Sequence, residues 1–261
     1  METSGPPAMM VGTEPVWAQG GPGPLAGAGI LFCHGFSGSP ASVRSTAEHL
    51  AAQGAAVACP LLPGHGTSWQ QLALTTHEDW YSVLPPALDW LRERSHLQVV
   101  AGLSMGGALA LRVAELEQVA AVVLVNPSIG SDSLAYRLVP LLSKVLPSLR
   151  GIGSDIKAAG VVEPAYPRTP LAAVTSLRQL WRLVVDDLDQ VTVPVLMFTS
   201  RTDHLVDGYS GRLLRKRLPK LTDHWLDDSY HVATMDNDAA FINRTTAQFI
   251  SDLLRDQHEQ Q

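Results

Sequence analysis

The sequence predicts an α/β fold, with a mostly parallel sheet covered by helices on both faces. Two observations support this prediction. Short apolar runs alternate with helical patterns along most of the chain, and these runs are continuously hydrophobic, as strands buried on both faces usually are. The chain has 261 residues, 46% of them hydrophobic and 17% charged, which suits one large globular domain with a sizeable core.

The predicted elements follow one another in a regular order. Residues 1–27 are rich in Gly and Pro, and we expect a flexible segment in which residues 11–19 form a short edge strand. Strands are then predicted at residues 29–35, 55–60, 97–103, 119–127, 193–200 and 221–228. Helices are predicted at residues 39–54, 76–94, 105–117, 208–218 and 238–255. The tandem Pro85-Pro86 should kink or split the second of these helices.

Residues 127–190 differ in character from the rest of the chain. They contain helical patterns rich in leucine and interrupted by proline, and no convincing strand. We therefore interpret residues 127–190 as a small inserted helical cap, and residues 28–126 and 191–261 as the α/β core.

Composition excludes several classes of protein. The net charge is −6 and no run of Lys or Arg exceeds the "RKR" at 215–217, so a nucleic-acid partner is not expected. Cys33 and Cys59 end predicted buried strands, which favours free thiols in a reducing compartment over a disulfide framework. We find no signal peptide and no apolar stretch of transmembrane length, and expect a soluble, cytoplasmic protein.

The pentapeptide "GLSMG" (102–106) matches G-x-S-x-G between a predicted strand and a predicted helix, the context that this motif requires. A nucleophile on so tight a turn needs small neighbours, which Gly102 and Gly106 supply. The positive end of the following helix suits a developing negative charge. Ser104 is therefore the candidate nucleophile, although a glycine-rich packing turn with an incidental serine would look similar.

A serine nucleophile needs a base and an acid that orients it, expected in the chain order Ser, Asp or Glu, His. Asp203 follows one predicted strand and His231 follows the next. Asp207 also follows a strand, but it lies where a helix should begin, and we interpret it as a cap. His204, His224 and His258 are interpreted as surface or structural residues.

An oxyanion hole would complete the site. Its expected donors are the backbone N–H of Met105, directly after the serine, and that of Phe36, in the loop after an early strand. His34 precedes Gly35 and is assigned a structural hydrogen-bonding role. Neither ligand spacing for a metal nor a glycine-rich nucleotide loop is present, so we expect no metal and no cofactor.

The segments "HGFSGSP", "PLLPGHGT", "GLSMGG", "SRTDHLVD" and "SYHVATMD" occur in this order. Together they resemble the small bacterial monoacylglycerol lipases and the related carboxylesterases of the α/β-hydrolase superfamily. The resemblance extends into residues 152–170. It implies an α/β-hydrolase fold, a triad of Ser104, Asp203 and His231, and a lipid ester as substrate.

The resemblance also implies that Glu163 contacts the glycerol part of a monoacylglycerol. An ionised carboxylate accepts hydrogen bonds, and glycerol offers two hydroxyl donors; a solvated surface charge is the other interpretation. Apolar cap residues are expected to cover the fatty chain, unless they form the core of the cap. They are Ile152, Leu138, Leu141, Leu142, Val145 and Leu146.

Two other functions remain open at this point. A general carboxylesterase or thioesterase would use the same triad, and a non-catalytic hydrolase-like binding protein would keep the fold without needing a positioned base. A dehalogenase would need an acid at position 104. The sequence leaves open the acyl-chain length, transient contact of the cap with a membrane or micelle, and whether the chain is a monomer or a homodimer.

Overall fold

The computed structural model describes residues 8–151 and 154–259, and its centre is a seven-stranded sheet. The strands in the described residues are β1 (Val16–Gln19), β2 (Ala28–Cys33), β3 (Ala56–Cys59), β4 (Leu97–Leu103), β5 (Ala121–Val125), β6 (Ser148–Arg150), β7 (Arg168–Pro170), β8 (Val195–Ser200) and β9 (Leu221–Leu226), of which β6 and β7 lie outside this sheet. The order in the sheet is β1-β3-β2-β4-β5-β8-β9, parallel except for the edge strand β1. The predicted parallel sheet is confirmed.

Helices cover both faces of this sheet. The helices in the described residues are α1 (Ala41–Ala51), α2 (Trp69–Leu72), α3 (His77–Ser82), α4 (Leu84–Arg92), α5 (Met105–Leu116), α6 (Leu134–Leu142), α7 (Leu171–Asp187), α8 (Tyr209–Arg217) and α9 (Ala239–Glu259). Buried residues of α1 and α9 belong to the core on one face of the sheet, and those of α4, α5 and α8 to the core on the other, where α7 packs on α5.

Strand β4 illustrates why the apolar runs are continuous. Val99, Ala101 and Leu103 lie in the core beside α1 and α9, whereas Val100 lies in the core beside α4 and α5. Successive side chains of a strand point to opposite faces. Both faces are covered, so the strand carries no polar side chain from Val99 to Leu103.

Two local predictions are confirmed. The helical stretch is split, because α3 ends at Ser82 and α4 begins at Leu84 with the prolines in its first turn, where a missing N–H costs little. An edge strand forms near the amino terminus, shorter than predicted, from Val16 to Gln19. Residues 1–7 of the segment expected to be flexible lie outside the described residues.

The expectation that residues 127–190 contain no strand is wrong. Strands β6 and β7 pair antiparallel, with Ser148 opposite Pro170 and Arg150 opposite Arg168. Each strand has only three residues, too few to show an alternating pattern in the sequence. This stretch, which we call the cap segment, otherwise contains the helices α6 and α7.

Both cysteines are buried and unpaired, as expected. Burial raises the pKa of the Cys59 thiol to about 12 and that of Cys33 well above its usual value. Such thiols are unreactive and act as small apolar groups. Within residues 8–151 and 154–259, no helix combines the length and apolar character needed to cross a lipid bilayer.

Candidate active site

Ser104 lies at the sharp turn between β4 and α5. Its backbone has φ 56° and ψ −120°, a left-handed region that a residue with a side chain rarely adopts. The turn is held by its own amide, which donates to Val125 O at 3.0 Å, and by its carbonyl, which accepts from the N–H of Ser128 at 3.0 Å. The strained turn exposes the hydroxyl at the carboxyl edge of the sheet, where ligands bind in parallel folds.

The glycines on either side are needed because backbone segments approach closely there. A Cβ on Gly102 would overlap the carbonyl of Gly106, and a Cβ on Gly106 would overlap the carbonyl of Cys33. Any larger residue at either position would push α5 away from the sheet and move Ser104.

Asp203 and His231 come together beyond the ends of β8 and β9. The Nδ1 atom of His231 lies 2.8 Å from Oδ2 of Asp203, and the other carboxylate oxygen accepts from the amides of Leu205 and Val206 at 2.9 and 2.8 Å. Burial would raise the pKa of Asp203, but the His231 contact and these two amides outweigh it and lower the pKa. The carboxylate is therefore ionised and orients the imidazole, with Nδ1 protonated.

Asp207, the other candidate acid, binds groups outside the Asp203–His231 pair. One of its oxygens accepts from the amide of Tyr209 at the start of α8, and the other accepts from Ser131 Oγ and the amide of Asp132. Burial would raise its pKa, but the Ser131 hydroxyl and these amides lower it overall. The N-cap residue of α8 is Gly208, so Asp207 is not the cap itself; it lies one residue earlier and binds the first amide of the helix.

Sequence reasoning missed a second carboxylate at the His231 loop, that of Asp155 in the cap segment. Its Oδ2 accepts from the amides of His231 and His204 at 3.2 and 3.1 Å, and its Oδ1 lies 2.8 Å from Nδ1 of His204. The carbonyl of Asp155 also accepts from the amide of Val232. A lone acidic residue in a loop carries no motif, so only the fold could reveal that the cap segment holds the His231 loop.

The two expected oxyanion donors border the same cavity as Ser104 and His231. This cavity measures about 120 Å³, and its lining includes Phe36 and Met105. In the part of the chain that the structure describes, neither amide donates to a protein acceptor. Met105 is the first residue of α5, so its N–H also carries the positive end of the helix dipole.

His34 has the structural contacts expected of it. Its Nδ1 lies 3.0 Å from Gly35 O, and its Nε2 accepts from the amide of Leu62 at 3.1 Å. Burial, together with the neighbouring His65 ring, lowers the pKa of His34 well below its usual value. The neutral ring therefore connects the loop that carries Phe36 to the loop after β3.

Glu163 reaches the cavity from the cap segment. It is half-buried, and its Oε1 lies 2.6 Å from the point where a Cβ on Gly38 would lie, so a larger residue at position 38 would displace the carboxylate. Burial raises the pKa of Glu163 to about 7, although His231 and the Ser42 hydroxyl oppose the rise. The interpretation of Glu163 as a freely solvated charge does not match this environment.

None of the described apolar residues expected to cover the fatty chain lines this cavity, and Leu142 packs instead in the core of the cap segment. Leu138, Leu141 and Val145 are 56%, 66% and 75% exposed, and Leu146 is also exposed. Ile152 lies outside the described residues. The apolar wall of the cavity is formed instead by Phe36, Tyr136, Val174, Leu177, Trp181 and Val206.

No group of His, Cys, Asp or Glu side chains suited to a metal ion occurs among the residues that the structure describes. The chemistry that this arrangement can perform is acyl transfer. A strained serine, a histidine oriented by an ionised aspartate and two free amides are the groups that such a reaction needs.

Comparison with known proteins agrees with this geometry. Residues 30–244 match the model of the alpha/beta hydrolase family. The chain is 34% identical over 247 residues to a thermostable monoacylglycerol lipase of Bacillus sp. (strain H-257), covering 93% of this chain and 96% of that protein. It is 24% identical over 231 residues to a carboxylesterase of Bacillus subtilis (strain 168), covering 86% and 92%.

The fold is also similar to those of solved lipase structures. A structure from work on LipS and LipT, two metagenome-derived lipolytic enzymes, superimposes with a TM-score of 0.88 at 37% identity, covering 94% of this chain and all of that one. A soluble variant of monoglyceride lipase from Saccharomyces cerevisiae has a TM-score of 0.72 at 14% identity, covering 97% of each chain. The second likeness shows the fold alone.

Proposed function

This chain belongs to the alpha/beta hydrolase family, and we propose that it is a serine hydrolase that cleaves monoacylglycerols to glycerol and a free fatty acid. The observation that carries this proposal is that His231, hydrogen-bonded to Asp203, lines the same cavity as the strained Ser104. The 34% identity to a monoacylglycerol lipase over almost the whole chain supports the substrate.

The reaction proceeds through an acyl-enzyme. His231 takes the proton of Ser104 as its oxygen attacks the ester carbonyl, and Asp203 stabilises the imidazolium that forms. The amides of Phe36 and Met105 stabilise the oxyanion of the tetrahedral intermediate. His231 then protonates the departing glycerol, and water hydrolyses the acyl-enzyme by the same route. Neither a metal nor a cofactor takes part.

Glu163 selects the alcohol part of the substrate. Its carboxylate accepts hydrogen bonds from the two free hydroxyls of the glycerol. The raised pKa of about 7 means that this acceptor is fully ionised only above neutral pH. A general carboxylesterase would lack such a preference for glycerol.

Two further features of the protein belong to the proposal. The exposed apolar residues of α6 make transient contact with a micelle or membrane that supplies the substrate. The protein acts in the cytoplasm, which the two buried, unpaired cysteines support.

The substrate assignment is tested by comparing kcat/KM for a 1-monoacylglycerol and for the methyl ester of the same acid, at pH 6 and at pH 8. We expect the monoacylglycerol to be cleaved faster, and the ratio to rise with pH as Glu163 loses its proton. Glu163→Gln, which removes the charge but keeps the size, should narrow the ratio and remove its pH dependence. Equal kcat/KM for the two substrates in the parent enzyme would reject the lipase assignment in favour of a general esterase.

A further inference from the structure

Asn126 follows β5 directly and is only 3% exposed. Its backbone is left-handed, with φ 43°, a conformation that asparagine tolerates better than most residues. Among residues 8–151 and 154–259, the other non-glycine residues with positive φ are Ser104 and Ser37, which lies beside Phe36. Backbone strain concentrates at functional sites, and both Ser37 and Ser104 line the cavity of the candidate site.

The side chain of Asn126 joins the ends of β5 and β8 to the loop after β9. Its Nδ2 donates to the carbonyl of His231 at 2.8 Å and to Ser200 Oγ at 2.9 Å, and lies 3.3 Å from Tyr230 O. Its Oδ1 accepts from the amide of Ser200 at 2.7 Å, and Ser200 Oγ donates in turn to Tyr230 O. One buried amide thus holds the strand that leads to Asp203 and the backbone of His231.

The residues on either side of Asn126 hold the nucleophile. Val125 accepts the amide hydrogen of Ser104, and Ser128 donates to the carbonyl of Ser104, both at 3.0 Å. The turn at residues 125–128 therefore contacts the backbone of Ser104, while the side chain within it contacts the backbone of His231.

We propose that Asn126 is a positioning residue that sets the distance between His231 and Ser104. It touches neither substrate nor the reacting atoms, and it acts through the backbone of the two residues that do. The inference rests on the triad given under Proposed function.

Two anchors hold the His231 backbone, because Asp155 accepts its amide hydrogen while Asn126 binds its carbonyl. Loss of Asn126 leaves the Asp155 anchor in place, so the loop should shift without unfolding. A displacement of about 1 Å at a reacting group lowers the rate by up to about 100-fold. The expected effect is therefore on kcat, with little change in KM.

Two variants test the role. Asn126→Gly accepts the left-handed backbone but removes every side-chain contact. Asn126→Asp keeps the size of the side chain and the acceptor for Ser200, but it replaces the donor that reaches His231. In each variant we expect kcat per active site to fall by about 10- to 100-fold, with KM within about twofold of the parent value. Active sites are counted by titration with a serine-directed phosphonate.

Ser95→Ala is the matched control. The Ser95 hydroxyl donates to Leu91 O at 2.7 Å and accepts from Gln98 Nε2 at 3.1 Å, next to the amino end of β4 and away from the site. It should keep the parent kcat. Parent-like kcat in Asn126→Gly or Asn126→Asp, or an equal loss in Ser95→Ala, would overturn the positioning role. A parent enzyme that the phosphonate does not label would instead reject the proposed function.

Discussion

The carboxyl edge of the sheet and the outer face of the cap segment are built in opposite ways. At the edge, polar side chains are buried and paired: His231 is 5% exposed and Asn126 3%, and both have hydrogen-bond partners. On the outer face of α6, apolar side chains are exposed, among them Leu134 at 67% and Leu141 at 66%. A buried polar group must be paired, and an exposed apolar patch favours contact with another apolar surface.

These two regions meet different requirements of the proposed reaction: the sheet edge holds the reacting groups, and the outer face of α6 contacts the lipid. Acyl transfer depends on reacting groups held in a defined geometry, which a network of short hydrogen bonds supplies. Uptake of a lipid from a micelle or membrane depends on the apolar area that the protein exposes, and it does not require those side chains to hold a fixed position. Substitutions at the edge should therefore change kcat strongly, and substitutions on the outer face of α6 should change the response to the physical state of the substrate.

The largest effect is expected for Asp203→Asn. Loss of the ionised carboxylate leaves His231 in the wrong tautomer, and kcat should fall by about 10⁴-fold. Asp207→Asn is the matched control, since Asp207 is the neighbouring carboxylate but binds the start of α8; kcat should change by less than about threefold. Steady-state kinetics on a dissolved short-chain ester measure both. Similar losses in the two variants would contradict the assignment of the acid.

A smaller effect is expected for the paired substitution Leu138→Ser and Leu141→Ser. Exposed leucines that become buried at a lipid surface contribute up to about 1.5–3 kcal/mol each. Because only part of that area is expected to be buried, apparent KM for a micellar long-chain monoacylglycerol should rise by about three- to tenfold. Activity on a dissolved short-chain ester should stay unchanged.

Leu116→Ser provides the control for this pair. Leu116 is 53% exposed at the last position of α5, a helix that packs against α7 and not against the exposed face of α6. It should leave both activities at the parent level. If Leu116→Ser raised KM for the micelle as much as the paired cap variant does, replacing any exposed leucine by serine would have this effect. Contact with the micelle through α6 would then be rejected.

Local patterns made most of the fold predictable from the sequence. The apolar runs predicted the buried strands, and Gly102 and Gly106 around Ser104 indicated the turn because backbone crowding there tolerates only glycine. Asp203 and His231 were candidates because each follows a strand, and the carboxyl ends of parallel strands meet at one edge.

The features that the sequence did not reveal depend on contacts between distant residues or on very short elements. Asn126 is hydrogen-bonded to His231, which lies 105 positions later in the sequence, and Asp155 is hydrogen-bonded to it over 76 positions. A single Asn or Asp belongs to no motif from which such a contact could be predicted. The orientation of α6 was unpredictable because the helix is apolar on both sides, with Val139 buried and Leu138 exposed. Strands β6 and β7 are too short for any periodicity.

The central claim is that Ser104 is a nucleophile activated by His231. Its most direct test is the intact mass of the protein after incubation with a fluorophosphonate ester, followed by peptide mapping. The account predicts one adduct per chain, on Ser104, forming rapidly in the parent and at least about 1,000-fold more slowly in His231→Ala. An unlabelled parent, an adduct on another residue, or equal labelling rates in the two proteins would contradict it.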